Sequence, residues 1–253
     1  MPLISPFDLT GKTAVVTGGG KGLGRGISEA LLGAGADVIV LQRTQPADDL
    51  VAFANGLGRD LAFQAVDLAE SGSVDAAARA VLAERPVDIL VNNAGIQFRA
   101  PAAEFPLERF DEVLAVNLRA VFQLSQLFGQ PMLERGTGKI VNIASLMTFQ
   151  GGISIPAYAA SKGAIAQLTK ALCNEWAPRG VNVNAVAPGY MATDMNVDLR
   201  EDPARYAEIS ARIPAGHWGD ATDIGGAVAF LSSAAADYVH GIVLPVDGGW
   251  LAR

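Results

Sequence analysis

Two segments, Ile89-Leu90-Val91 and Ile140-Val141-Asn142-Ile143, carry apolar residues at neighbouring positions, on both faces, rather than only at alternate ones. A strand turns successive side chains to opposite faces, so such runs are buried only in a sheet covered on both sides. These two strands are expected near 88–92 and 139–144, with others near 13–17, 37–42, 62–66, 181–187 and 242–246. Between them lie helical patterns near 23–34, 73–84, 107–133, 156–177 and 222–232, and a weaker one near 47–56. Strand alternating with helix predicts an α/β fold: a doubly wound parallel sheet of about seven strands, with right-handed crossovers and helices on both faces. The 253 residues, 50% of them hydrophobic, suffice for a single domain spanning 1–253, and no linker or internal repeat divides it. Residues 192–219, rich in Asp, Arg and Pro, read as a loop or helical lid above the strand ends.

The first strand, Thr13-Ala14-Val15-Val16, runs into Thr17-Gly18-Gly19-Gly20-Lys21-Gly22-Leu23-Gly24, which opens the helix through Ile27, Ala30 and Leu31. Strand, glycine turn and helix form the context a phosphate-binding loop needs. Glycines let backbone N–H groups approach a pyrophosphate, and the helix N-terminus adds positive potential. The spacing is Gly-x-x-x-Gly-x-Gly rather than Gly-x-Gly-x-x-Gly. Dinucleotide binding follows from the flanking elements more than from the glycines alone.

Tyr158 and Lys162 stand four apart in Pro156-Ala157-Tyr158-Ala159-Ala160-Ser161-Lys162, on one face of a helix. A free phenol titrates near pH 10, too high for ready proton exchange, and a neighbouring cation favours the phenolate. Ser145, at the end of an apolar strand, could hold a substrate oxygen while the proton moves. The set reads as proton chemistry beside a dinucleotide.

A net charge of −7 without a basic cluster argues against nucleic acid and anionic membranes as partners. No apolar stretch reaches the ~18–20 residues that span a bilayer. Met1-Pro2-Leu3-Ile4-Ser5-Pro6 shows no secretory pattern, which points to the cytoplasm. The single cysteine, Cys173, is expected as a buried, reduced core residue. His217 and His240 lack metal-ligand spacing, so no metal site is expected.

The Gly18/Gly22/Gly24 loop, Asn92-Asn93-Ala94-Gly95, Asn117, Ser145, Tyr158, Lys162 and Pro188-Gly189 together resemble, in order and spacing, the short-chain dehydrogenase/reductase family, over essentially the whole chain. The resemblance implies a Rossmann-type domain in which Ser145 orients a carbonyl or hydroxyl and Tyr158 exchanges the proton. Lys162 would lower the Tyr158 pKa and bind the nicotinamide ribose, and Asn117 would support a proton relay through water toward Lys162. It also implies a cofactor site of Gly18, Gly22, Leu23, Gly24, Asp67, Leu68, Asn93, Tyr158, Lys162, Met191 and Thr193, with Asp67 near the adenine and Thr193 at the nicotinamide carboxamide, to which Lys21 and Arg43 are added on their charge. The resemblance points to a homotetramer, and the apolar positions distributed around 111–133 call for burial on several sides.

A narrower resemblance, in Ser145–Gly152, Arg212–Gly219 and the ending Val246–Arg253, is to the branch acting on deoxy keto-sugar acids of the 2-dehydro-3-deoxy-D-gluconate type. Such a substrate needs a cation and polar side chains, and Gln97, Arg99 and Gln150 are suitably placed beside Ser145 and Tyr158. After the second strand this chain has Gln42, Arg43 and Thr44 where NAD users often carry an acid, and Lys21 lies in the glycine loop. The charges favour NADP(H), with NAD(H) possible. The competing readings are a carbonyl or 3-oxoacyl reductase of the same family, and a catalytically silent dinucleotide-binding redox sensor.

Overall fold

The computed structural model describes residues 5–193 and 196–253. The first four residues, on which the absence of a secretory pattern partly rests, and positions 194 and 195 of the expected lid lie outside the described residues.

Seven parallel strands form one sheet: β1 Thr13–Thr17, β2 Asp37–Gln42, β3 Leu61–Ala65, β4 Ile89–Asn92, β5 Gly138–Ile143, β6 Val181–Pro188 and β7 Val243–Val246. Their order is β3-β2-β1-β4-β5-β6-β7. The chain builds outward from β1 to β3 and then returns to pair β4 with β1 in parallel, Val15 opposite Leu90. The strand order therefore reverses between β1 and β4, and the loops leaving their carboxyl ends diverge to leave a crevice.

The helices are α1 Gly22–Gly33, α2 Asp48–Gly56, α3 Ser71–Glu84, α4 Leu107–Leu114, α5 Ala120–Arg135, α6 Pro156–Trp176, α7 Val197–Glu201, α8 Pro203–Arg212 and α9 Ala221–Ser232. Alternate strand residues feed two cores. Ala14, Val16, Ile89 and Val141 pack with Ile27 and Leu31 of α1 and Ile224 and Val228 of α9. Val15, Leu90 and Ile140 pack with Val81 of α3, Phe128 of α5 and Trp176 of α6. Both faces are covered, as the unbroken apolar strands require. Cys173 is buried in the second core. Among the described residues no helix is long and apolar enough to cross a membrane.

One expected element is divided. The helix predicted over 107–133 is broken between α4 and α5 by a wide π-helical turn, Ala115–Arg119. Such turns gather at functional sites because the extra residue redirects side chains. Here it carries Asn117 inward, where the residue is 1% exposed. The expected lid supplies the helices α7 and α8, with irregular backbone at 192–193 and 213–219. Asp202 caps α8 by accepting from Ala204 N at 3.0 Å and Arg205 N at 3.2 Å.

Candidate active site

The crevice at the β1/β4 reversal opens into a cleft of about 1120 Å³ that runs from the glycine loop to α8. At one end the shape is set by backbone. Gly22 has φ +49°, a conformation L side chains rarely adopt. At Gly24 a Cβ would collide with the Gly18 carbonyl oxygen, so the loop closes on itself only with glycine there. Gly18, Lys21, Gly22, Leu23 and Gly24 all line the cleft, as expected.

No sequence pattern points to the supports of this loop. The Thr17 hydroxyl accepts from the backbone N–H groups of Asn93 and Ala94, both at 2.9 Å, tying the ends of β1 and β4 together. Ser28 Oγ donates to the Gly19 carbonyl at 2.9 Å. Gln42 Oε1 accepts from Gly20 N at 2.9 Å while its Nε2 donates to the Thr44 carbonyl at 2.7 Å. Asn93 lines the cleft, but its amide donates to the Thr17 carbonyl at 2.9 Å, so it braces the loop as well as facing the site.

Beyond the loop, Arg43, Asp67 and Leu68 line the same end of the cleft. Asp67 Oδ1 accepts from Ala69 N at 3.0 Å, closing its own turn. Met191 and Thr193 also line the cleft. The Met191 carbonyl accepts from Thr193 N and from Asn196 Nδ2, both at 2.9 Å. The open glycine cradle, the two cations Lys21 and Arg43, and the apolar Leu23 and Leu68 fit a dinucleotide with a charged phosphate.

Ser145, Tyr158 and Lys162 converge on the middle of the cleft. Ser145 follows β5, and its Oγ accepts from Met147 N at 3.2 Å. Pro156 starts α6 with a residue suited to the first helical turn, and the helix then presents Tyr158 and Lys162. Lys162 is 4% exposed; its Nζ lies 5.7 Å from the Tyr158 ring centroid and donates to the Ile143 carbonyl at 2.6 Å. Burial lowers the Lys162 ammonium to about 8. The Tyr158 phenol departs from expectation. Desolvation raises its pKa, with the Ser145 hydroxyl opposing the shift, so the lowering expected from Lys162 is not the dominant effect in this structure.

Asn117 itself does not line the cleft but lies beside Lys162, since a Cβ on Gly95 would meet Asn117 Oδ1 at 3.3 Å and Lys162 Nζ at 3.7 Å. Its Oδ1 accepts from Ile96 N at 2.8 Å and its Nδ2 donates to Ile96 O at 2.9 Å, an amide pairing with the loop after β4. Nδ2 also donates to Ser161 Oγ at 3.2 Å, which itself donates to the Tyr158 carbonyl at 2.8 Å. The Asn117 side chain therefore links the β4 loop to the first turn of α6, and nothing in the sequence pattern singles out Ser161 for this link.

At the far end stand Gln97, Arg99 and Gln150. With its amide carbonyl turned toward the guanidinium, Gln97 accepts from Arg99 Nε and Nη2, both at 3.1 Å. Ala100 N donates to the Ser154 carbonyl at 3.0 Å, joining the Arg99 loop to the loop before α6. Gln150 Oε1 accepts from Trp250 Nε1 at 3.1 Å. Tyr190 packs against Trp250 with ring centroids 4.7 Å apart, and both line the cleft. Neither is among the expected site residues, although Tyr190 directly follows Pro188-Gly189 and Trp250 lies in the C-terminal segment that carries the narrower resemblance.

The short chain dehydrogenase family matches residues 12–204. The 2-dehydro-3-deoxy-D-gluconate 5-dehydrogenase of Bacillus subtilis is 51% identical over 247 residues, covering 98% of this chain and 97% of its own. A solved Beutenbergia cavernae structure with bound NADP at low occupancy is 51% identical, with a TM-score of 0.95 and coverage of 98% of this chain and 100% of that one. A gluconate 5-dehydrogenase from Burkholderia cenocepacia, solved in complex with NADP and tartrate, is 38% identical, with a TM-score of 0.92 and 98% coverage of each chain. The chain belongs to the short-chain dehydrogenase family. It is an oxidoreductase acting on CH–OH groups with a nicotinamide cofactor.

Proposed function

We propose that the chain interconverts a secondary alcohol and a ketone on a deoxy keto-sugar acid of the 2-dehydro-3-deoxy-D-gluconate type, with NADP(H) favoured over NAD(H). The observation that carries this reading is one cleft joining a phosphate-binding loop, the Ser145–Tyr158–Lys162 group and an arginine, Arg99, held in place by Gln97. The names of the relatives support the substrate class, and bound NADP in two neighbours supports the cofactor.

The glycine loop, Lys21 and Arg43 would hold the phosphates, Asp67 and Leu68 the adenine side, and Met191 and Thr193 the nicotinamide side. When bound, the nicotinamide supplies or accepts the hydride. The protein's own part is the proton. Ser145 donates a hydrogen bond to the substrate oxygen, and Tyr158 gives its hydroxyl proton to a ketone oxygen as the C–O bond becomes single. In oxidation the proton returns to the phenolate. Lys162 supplies positive charge beside the phenolate, and Asn117 positions Tyr158 through Ser161. Arg99 binds the distal carboxylate, with Gln97 and Gln150 on the hydroxyls. The molecule works as a cytoplasmic homotetramer, a reading supported by large exposed apolar residues such as Leu107 and Phe122 and by the place of β7 at the end of the strand order.

Nicotinamide absorbance with a panel of sugar acids, neutral polyols and acyl thioesters tests the proposal. Turnover of a deoxy keto-sugar acid is expected, and Arg99→Ala should raise its KM at least ~10-fold while leaving a neutral polyol nearly unchanged. Activity confined to acyl thioesters would transfer the assignment to a 3-oxoacyl reductase, and tight binding of cofactor without turnover to a redox sensor. Light scattering at micromolar concentration should return a tetramer mass.

A further inference from the structure

Helix α8 turns Arg205, Glu208, Ile209 and Arg212 to the cleft, at the end away from the glycine loop. Their setting is built rather than loose. The Arg212 guanidinium lies 3.9 Å from the Trp250 ring centroid, a stacking distance that fixes a planar cation. Trp250 in turn donates to Gln150, which faces the same space. Arg253 donates to the Ala211 carbonyl at 2.7 Å and the Arg212 carbonyl at 3.1 Å, holding the last turn of α8 against the C-terminal segment. On the opposite wall Arg99 is fixed by Gln97. Burial raises the Tyr190 phenol, and the charges of Arg205, Arg212 and Arg99 all oppose that shift, which places the three guanidinium groups around one side chain of the cleft.

The charge balance decides what this end can hold. Arg205 meets Glu208 at 3.1 Å in a pair whose side chains are 49% and 70% exposed, too wet to neutralise either strongly. Among the described residues Arg99 and Arg212 make no ion pair. Of the two carboxylates that line this part of the cleft, Glu112 is paired with Arg109 at 2.7 Å and Glu208 with Arg205, so Arg99 and Arg212 keep the local balance positive.

We propose that Arg205 and Arg212 are specificity-determining residues that form the helical half of an anion subsite, closing on the substrate carboxylate opposite Arg99. The inference rests on the sugar-acid reading above. It adds that the acid is recognised from both walls, so that the substrate itself draws α8 onto the cleft. A single arginine on one wall would select for charge without coupling that selection to closure.

The test compares Arg205→Met, Arg212→Met, the double variant and Arg212→Lys. Methionine keeps an apolar stem over Trp250 and removes the charge; lysine keeps the charge and loses the stacked plane. The double variant should lose ~30- to 100-fold in kcat/KM on the sugar acid, chiefly through KM, and under ~3-fold on a neutral polyol. Arg212→Lys should recover part of the loss. Separately, deuterium exchange over 203–212 in the wild-type protein with NADP should slow on adding D-gluconate, should not slow with xylitol, and should not respond in the double variant. Equal kinetic losses on acid and polyol, or exchange unaffected by the acid, overturns the proposal. If the wild type turns over no sugar acid, the proposed function falls, and the exchange measurement still decides whether α8 closes on a carboxylate.

Discussion

The two ends of the cleft are held by different means. At the glycine-loop end the surface is mostly main chain, fixed by the φ of Gly22, the contact of Gly24 with Gly18, and bonds from Thr17, Ser28 and Gln42 to backbone atoms. At the α8 end it is side chains on side chains: Gln97 on Arg99, Trp250 on Gln150, and Arg212 on Trp250. A backbone surface recognises a phosphate, which every dinucleotide carries. A side-chain surface can be rewritten residue by residue without disturbing the sheet. The difference implies that substitutions at the first end should cost cofactor binding and folding together, whereas those at the second should change which substrate is used.

The largest effect is expected at the junction of the two. Tyr158→Phe removes one hydroxyl and almost no packing volume. It should lower kcat ~10³-fold or more, while Tm and the Kd for NADPH stay within error of wild type. Because burial raises the phenol, Tyr158 is protonated and ready to act as an acid at neutral pH. Ketone reduction should therefore be fastest at or below neutrality, and alcohol oxidation, which needs the phenolate, should climb into the alkaline range. Two parallel pH profiles, or normal turnover in the Tyr158→Phe variant, would remove Tyr158 from the proton's path.

Lys162 gives the next effect, this time on stability. Its folded value of about 8 lies below the ordinary 10.5, so between those values the unfolded chain holds a proton that the folded one has lost. Stability must then rise with pH across that window, by on the order of 3 kcal/mol in all, and the full cost of the buried charge is present below pH 8. Urea denaturation of wild type and Lys162→Met from about pH 7 to 10.5 isolates this contribution: the wild-type curve should gain on the variant as pH rises. A flat difference would mean that Lys162 is solvated in solution.

Gly24→Ala probes the backbone end directly. A methyl group overlapping the Gly18 carbonyl oxygen forces the loop apart. A loss of ~1–3 kcal/mol in stability should accompany ~10- to 100-fold weaker NADPH binding, the two falling together. Weaker binding at unchanged Tm would show that the loop and the fold are less tightly coupled than the contacts among Thr17, Asn93 and Gly18 imply.

This contrast also explains what the sequence discloses. Strands apolar on both faces can be buried in few ways, and a strand–glycine–helix junction has one common use, so the sheet and its phosphate loop are legible from local pattern. Tyr158 and Lys162 are legible because helical spacing places them on one face. The π-helical turn at Ala115–Arg119 is not, since the apolar periodicity continues through it and the contact that accompanies it, the pairing of Asn117 with Ile96, joins residues 21 apart. The α8 end is least legible. Arg205 and Arg212 lie on a short, polar helix whose placement depends on Trp218, Trp250 and Ile213, and no local pattern announces that cluster. The sign of the Tyr158 shift departs from expectation for a related reason: helical spacing reveals a neighbouring charge but not the depth of burial.

Gln42 yields the smallest expected effect and the finest test of the backbone end. It occupies the position where an acid would select NAD, yet its amide is engaged with Gly20 N and the Thr44 carbonyl. Gln42→Glu keeps an acceptor for Gly20, loses the donor to Thr44 and places a negative charge beside Lys21 and Arg43. If those cations hold a 2′-phosphate, the ratio of kcat/KM for NADPH to that for NADH should fall ~10-fold, with stability changed by less than ~1 kcal/mol. Gln42→Met breaks both hydrogen bonds without adding charge and separates the two effects. If Met shifts the ratio as far as Glu, cofactor choice depends on the shape of the glycine loop and not on electrostatics. If neither variant shifts it, Arg43 and Lys21 are surface charges, and the preference for NADP(H) must be sought elsewhere on the cleft wall.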